Sequence, residues 1–211
     1  MLYRTAYRVL HTVIRRMTGS VNGTEYLPER PNFIIVANHE GFMDAPVLSM
    51  FLFERYHREP YFITLQEMWR VLGKRLARSL LGMIPMEQNR KTAVIDEAVA
   101  TLRRGRMVGI FPEGHRNPDS ALIAGKTGAA RIALASGMPV IPVGIRNETG
   151  RTFGQAWQSF RQGSRRIHLT FGPAISLTEF FGRPVDKPLL VSATRKLMQA
   201  ISALCGKPYN F

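Results

Sequence analysis

The sequence predicts an α/β fold: a single domain with a largely parallel central sheet flanked by helices, preceded by a basic amphipathic helix. Three observations predict it. Short all-apolar runs recur, such as FIIVA (33–37) and MVGIF (107–111), the pattern of strands covered on both faces. These runs alternate with helical patterns of roughly ten to fifteen residues. No repeat, low-complexity tract or linker divides the 211 residues, a length that buries one sizeable core.

The elements follow in order. In residues 1–17, Leu2, Ala6, Leu10, Val13 and Met17 recur at helical spacing with Val9 and Ile14 flanking them, and Arg4, Arg8, His11 and Arg15 occupy another face. Such a helix fits an anionic bilayer surface or packs its apolar stripe on the domain. The expected division is 1–19 for this helix and 20–211 for the α/β domain. TGSVNGTEYLPERP (18–31), rich in Gly, Pro and Asn, reads as a turn. NFIIVAN (32–38) reads as a strand and APVLSMFLFER (45–55) as a helix. PYFITL (60–65) is a strand, EMWRVLGKRLARSLLG (67–82) a helix and GMIPM (82–86) a short strand. TAVIDEAVATLRRG (92–105) is a helix, RMVGIF (106–111) a strand, GAARIALASG (128–137) a helix and MPVIPVGI (138–145) a strand. QAWQSFRQGSRR (155–166) fits either a helix or an irregular excursion. RRIHLTFG (165–172) is a strand and KPLLVSATRKLMQAISALC (187–205) the closing helix.

Composition narrows the function. Lys and Arg number 29 against 15 Asp and Glu, a net charge of +14. That excess calls for an anionic partner: nucleic acid, anionic lipid or a phosphorylated substrate. The single cysteine, Cys205, rules out an internal disulfide and sits on an apolar helical face, where a free Cys packs as a small hydrophobe. No apolar stretch approaches the ~18 residues of a spanning helix. Arg8 and His11 interrupt any signal-peptide apolar region. A peripheral location on the cytoplasmic face of a membrane is expected.

In open α/β sheets, ligands gather beyond the carboxyl ends of the strands. Three polar segments fall there: NHEGFMD (38–44), FPEGHRN (111–117) and AGKTGAAR (124–131). On a continuous helix, His39 and Asp44 would be rotated apart by about 140°. A turn at Gly41 instead lets the Asp44 carboxylate fold back onto His39 Nδ1, fixing the tautomer and leaving Nε2 free to accept a proton. With no Ser or Cys nucleophile in the motif, such a base would act on a substrate hydroxyl. Asp44 before Ala45-Pro46 also reads as a plain helix N-cap. Glu113 requires a partner, for which Arg116 is placed, and Arg116 suits a phosphate.

Other constellations fail on spacing. AGKTGAAR is not a phosphate-binding loop of the Gly-x4-Gly-Lys-Thr type, because Ser120 stands where Gly is needed; Lys126 remains available to anions. His39, Asp44, Glu113 and His115 are metal-ligand types without tight ligand spacing, and no metal is expected. No nucleic-acid motif is present, so nucleic acid is not expected as a partner.

With these residues assembled, the chain resembles the 1-acylglycerol-3-phosphate acyltransferase family of glycerolipid acyltransferases. The resemblance rests on the His-x4-Asp block NHEGFMD, the Phe-Pro-Glu-Gly-x-Arg block FPEGHR and the later Pro-containing block MPVIPVGI, in that order, over roughly residues 20–175. It implies transfer of a fatty acyl group from acyl-CoA or acyl-carrier protein to the free hydroxyl of a lysophospholipid, with no cofactor. His39 would be the general base and Asp44 its orienting partner. Glu113, Gly114 and Arg116 would bind the acceptor's phosphate end, and Pro142 would lie in a structural or acyl-contacting segment. Several positions depart from the family pattern. Gly41 replaces a frequent Ser, and His115 a frequent Thr. Gln66 replaces a usual Lys. Glu87 and Arg90 stand near the family's intermediate acidic-Arg pair, which makes Arg90 the candidate for that arginine's role. The departures open the acceptor headgroup to alternatives such as an amino-acid lipid. A non-catalytic basic module that binds membrane or nucleic acid is the rival of a different class.

Overall fold

The computed structural model describes residues 2–65, 73–86, 91–162 and 165–211. Among them a seven-stranded sheet runs in the order β1-β7-β6-β2-β5-β3-β4. Its strands are β1 (Thr18–Asn22), β2 (Ile34–Ala37), β3 (Tyr61–Leu65), β4 (Met83–Met86), β5 (Val108–Ile110), β6 (Val140–Asn147) and β7 (Ile167–Phe171). β2 to β6 are mutually parallel. β7 is antiparallel to β6, and β1 lies parallel to β7, so this edge pair runs against the other five. The expected largely parallel sheet is therefore present.

The helices are α1 (Leu2–Met17), α2 (Asp44–Tyr56), α3 (Lys74–Leu81), α4 (Lys91–Arg103), α5 (Gly128–Ser136), α6 (Phe153–Arg161) and α7 (Lys187–Cys205). Alternation along β2 assigns the layers, since successive side chains point to opposite faces. Ile34 and Val36 face α4, α5 and α7, with Ala98, Leu102, Ile132 and Leu197. Phe33, Ile35 and Ala37 face α1, α2 and α6, with Ile14, Met17, Leu48 and Ala156. Each fully buried aliphatic of β2 contributes roughly 1.5–3 kcal/mol through burial.

Two segments differ from the sequence reading. Residues 18–22, read as turn, form edge strand β1. The segment is polar because it pairs on one side only, and its register slips between Thr18 and Val21. His168 from β7 fills the irregularity, its Nδ1 accepting from the Ser20 amide at 3.1 Å. Gly19 makes the room, since a Cβ there would lie 2.6 Å from the His168 ring. The boundary expected at 19/20 falls inside β1. Residues 155–166, left open between helix and loop, contain most of α6. Its start is fixed by a capping box, with Thr152 accepting from the Gln155 amide and Gln155 accepting from the Thr152 amide.

α1 packs through Val13, Ile14 and Met17 of the expected stripe and its flank, with Tyr3 and Tyr7 added and Leu10 left out. Tyr3, Ile14 and Met17 are buried, whereas Leu10 is exposed. Tyr3 and Tyr7 set their rings against Phe53 of α2, and the Tyr7 hydroxyl and His11 Nε2 both reach Glu54. Rings four residues apart, Tyr3, Tyr7 and His11, extend this face, a pattern that an aliphatic count overlooks. Cys205 packs against the α4–α5–α7 side of the core, and burial raises its thiol pKa. Among the described residues, no helix is long and apolar enough to cross a membrane.

Candidate active site

The parallel register of β2, β5 and β6 brings three strand ends together, and the polar residues gather there. β2 ends in Asn38, whose side chain continues the sheet. Its Oδ1 accepts from the Ile145 amide at 2.7 Å, and its Nδ2 donates to the Ile145 carbonyl at 2.8 Å. The chain then turns through residues 39–43 into α2.

Asp44, fully buried at the start of α2, collects the donors of the 39–43 segment. Its Oδ2 accepts from His39 Nδ1 at 2.8 Å, from the Glu40 amide at 2.7 Å and from the Gly41 amide at 2.8 Å. Its Oδ1 accepts from Asn147 Nδ2 at 2.5 Å. The N-cap alternative is thereby corrected. The cap position of α2 is Met43, and Asp44 bonds amides that precede the helix rather than those of its first turn. With Nδ1–H donating to a carboxylate, the network assigns the tautomer that leaves the Nε2 lone pair open. Nε2 has no hydrogen bond among the described residues. The imidazole lies flat on Phe111, with ring centroids 4.1 Å apart, so its plane is held from a second direction.

The loop after β5 mounts the His39 backbone. Glu113 Oε1 accepts from the His39 amide at 3.0 Å, and the Asn117 amide donates to the His39 carbonyl. Glu113 Oε2 accepts from Asn117 Nδ2 at 2.6 Å and from the Ile123 amide at 3.3 Å. This corrects the expected Glu113–Arg116 ion pair. Glu113 is buried and neutral donors satisfy it, while Arg116 Nη1 donates to the Arg151 carbonyl and Arg151 Nη2 to the Arg116 carbonyl. Glu113 therefore holds the loop that carries Arg116.

Gly114 has φ 78°, in the region that favours glycine, and a Cβ there would lie 2.4 Å from Lys126 Nζ. The Lys126 side chain thus crosses over Gly114, while its amide donates to the Pro112 carbonyl at 2.8 Å. Pro142 is buried inside β6 opposite Val36, a structural position. Arg90, with Glu87 and Gln66, lies outside the described residues. His115 is exposed, and among the described residues no three His, Cys, Asp or Glu side chains converge as metal ligands.

Three residues of this network escaped the sequence reading. Asn147 closes β6, bonding Asp44 through Nδ2 and Glu40 Oε2 through its amide at 2.6 Å. It also occupies the space beside Gly41, where a Cβ would lie 2.4 Å from Nδ2. The departure at position 41 thus has a physical partner. The signal was available, because Asn147 is the polar residue that ends an apolar strand, as Asn38-His39 end β2. Glu40 and Lys207 form a mostly buried pair at 2.7 Å that ties the tail after α7 to the His39 loop. No local pattern announces a pairing across that separation.

The acyltransferase family model matches residues 19–146, more than half of the chain. The chain belongs to the acyltransferase family. All the sequence-derived site residues of this family member lie inside the matched span, and Asn147 is the first residue beyond it. A 1-acyl-sn-glycerol-3-phosphate acyltransferase of Bacillus subtilis is 26% identical over 98% of this chain and 98% of its own length. A namesake from Borreliella burgdorferi is 30% identical over 60% of this chain and 50% of its own. A chloroplastic one from Brassica napus is 29% identical over 68% of this chain and 44% of its own. The chain thus spans about half the length of the Borreliella and Brassica relatives. The crystal structure of the 1-acyl-sn-glycerophosphate acyltransferase PlsC from Thermotoga maritima shares the fold. Its TM-score is 0.61 at 22% identity, covering 98% of this chain and 84% of that one.

Proposed function

We propose that the protein transfers a fatty acyl group from an acyl thioester, acyl-CoA or acyl-carrier protein, to the free hydroxyl of 1-acylglycerol-3-phosphate at a membrane surface. The observation that carries this reading is His39 Nδ1 held at 2.8 Å by Asp44, with Nε2 open at the strand ends. Nε2 removes the hydroxyl proton as the acceptor oxygen attacks the thioester carbonyl carbon. The carbon–sulfur bond breaks, the proton passes from His39 to the departing sulfur, and a free thiol and a new ester remain. Asp44 holds the ring and stabilises the imidazolium that forms between the two proton transfers. Arg116 and Lys126 attract the acceptor's phosphate, Arg116 through the guanidinium N–H groups that Arg151 leaves free. Glu113 and Gly114 shape the loop that presents them, and Arg90 is assigned to the same acceptor.

A panel of lysolipid acceptors, including an amino-acid lysolipid, with acyl-CoA and with acyl-carrier protein, tests the reading through thiol release and ester formation. Lysophosphatidate is expected to be acylated fastest, and His39→Ala to abolish the reaction with an unchanged melting curve. A His39→Ala variant within tenfold of wild type removes the base assignment. A different preferred acceptor replaces the headgroup.

A further inference from the structure

α6 carries an exposed aromatic row on a helix whose other side is anchored. Ala156 and Ser159 are buried, whereas Phe153 is 63% and Trp157 49% exposed. The row is continuous. Phe42, inside the His39–Asp44 loop, meets Phe153 edge-on at 5.7 Å. Phe153 stacks toward Trp157 at 6.4 Å, and Trp157 contacts Phe160 at 5.5 Å. Arg16, at the end of α1, lies over Phe160 at 5.4 Å. The aromatic strip therefore begins in the loop that holds the proposed base and ends at the amino-terminal helix.

The charge beside the strip has one sign. Residues 151–166 contain Arg151, Arg161, Arg165 and Arg166 and no Asp or Glu. All four arginines are exposed, as is Arg16. Phe42 and Phe160 are half-buried against the core and seat the row, while Phe153 and Trp157 stand out from it as large exposed aromatics, which mark a surface that something apolar covers. Trp and Phe flanked by arginines fit the headgroup–acyl boundary of an anionic bilayer, where rings enter the apolar zone and guanidinium groups meet lipid phosphates. The capping box at Thr152 holds the helix start, so the rings are presented on a fixed frame.

We infer that the Phe42–Phe153–Trp157–Phe160 row with its arginine flank is the surface that seats this protein on an anionic lipid bilayer. The inference deepens the membrane part of the function above and rests on that reading only for the lipid's role as substrate. It places the contact on α6 rather than on the length of α1, whose Tyr3, Ile14 and Met17 are committed to the interior. A lipid acceptor then reaches His39 by lateral movement past Phe42, without leaving the bilayer.

The test needs no acyl donor. Trp69→Phe leaves Trp157 as the one tryptophan of the full chain. With phosphatidylcholine vesicles containing phosphatidylglycerol and brominated acyl chains, Trp157 emission should shift to the blue and be quenched. With phosphatidylcholine alone it should do neither. In co-sedimentation, Phe153→Ser with Trp157→Ser should weaken binding about tenfold or more, the loss expected for two ring burials. Leu10→Ser on α1 should leave binding unchanged. Transfer to a monodisperse short-chain acceptor should stay within about twofold of wild type for the α6 pair, a measure that also reports an intact fold. Absence of quenching overturns the inference. So does vesicle binding that the α6 pair leaves intact, or binding lost through Leu10→Ser instead. Protection of Trp157 by an acidic acyl-carrier protein but not by vesicles makes the strip a carrier dock and overturns it equally. Absence of transfer by the Trp69→Phe protein itself, with its quenching retained, would fault the catalytic reading alone.

Discussion

Around His39, the polar side chains are buried and bonded to one another: Asp44 takes His39, two amides and Asn147, and Glu113 takes His39's amide, Asn117 and Ile123. Around Arg116, Lys126 and α6, the charges face solvent and the contacts are few. Both regions border the same strand ends. The difference fits what the proposed function asks of each. A proton acceptor works only in one orientation, and low-dielectric surroundings with complete hydrogen bonding enforce it. A cationic rim that gathers phosphate-bearing lipids works through charge at some distance and tolerates mobile side chains.

Substitutions can break or sharpen this contrast. The largest effect is expected from Asp44→Asn, which places an NH2 group or a weaker acceptor where three donors converge. Turnover should fall roughly 10²–10⁴-fold, with acceptor KM little changed. If only the melting temperature moves, the carboxylate supports the turn and not the base.

Gly41→Ala comes next. Its methyl would meet Asn147 at 2.4 Å. A loss of about 1–3 kcal/mol in urea unfolding is expected, with reduced turnover. Asn147→Gly in the same chain should recover part of that loss, since the Gly150 carbonyl still lies 2.8 Å from the methyl and Asp44 Oδ1 loses its donor. Failure of that rescue would separate Asn147 from the packed region.

On the open side, Arg116→Ala should raise acceptor KM about tenfold and leave the thioester's KM and the fold unchanged. Equal effects on both substrates would move Arg116 out of the rim. The last effect is confined to alkaline pH. Burial in α1 pushes the Tyr3 hydroxyl up to about 12 from 10.0. The folded state thus prefers neutral Tyr3, a preference fully present below pH 10 and lost as pH rises toward 12. Tyr3→Phe should remove that loss, about 2–3 kcal/mol across the window by unfolding at fixed pH. Identical alkaline profiles would place α1 outside the packed region.

Much of this was legible along the chain. FIIVA and MVGIF announced buried strands because apolar runs flanked by turn residues have few other solutions, and the His39–Asp44 spacing required a turn. β1 was illegible because an edge strand needs no apolar run and its partner β7 is far away in sequence. The Glu113–Arg116 pair was misjudged for a related reason. Nearness in sequence favoured Arg116, whereas folding delivered the His39 amide and left Arg116 to Arg151.

Local order alone therefore determined the fold class, the His39–Asp44 partnership and the strand-end positions of Glu113, Gly114, Arg116 and Lys126. These rest on periodicity and short-range turn geometry, which neighbouring residues set. Only the tertiary structure decided that Asn147 fills the space beside Gly41, that Glu40 meets Lys207, and that an aromatic strip runs from the His39 loop to Arg16. Those contacts join residues distant along the chain. Register and packing choose them, because each buried polar group takes whichever partner the folded sheet places within reach.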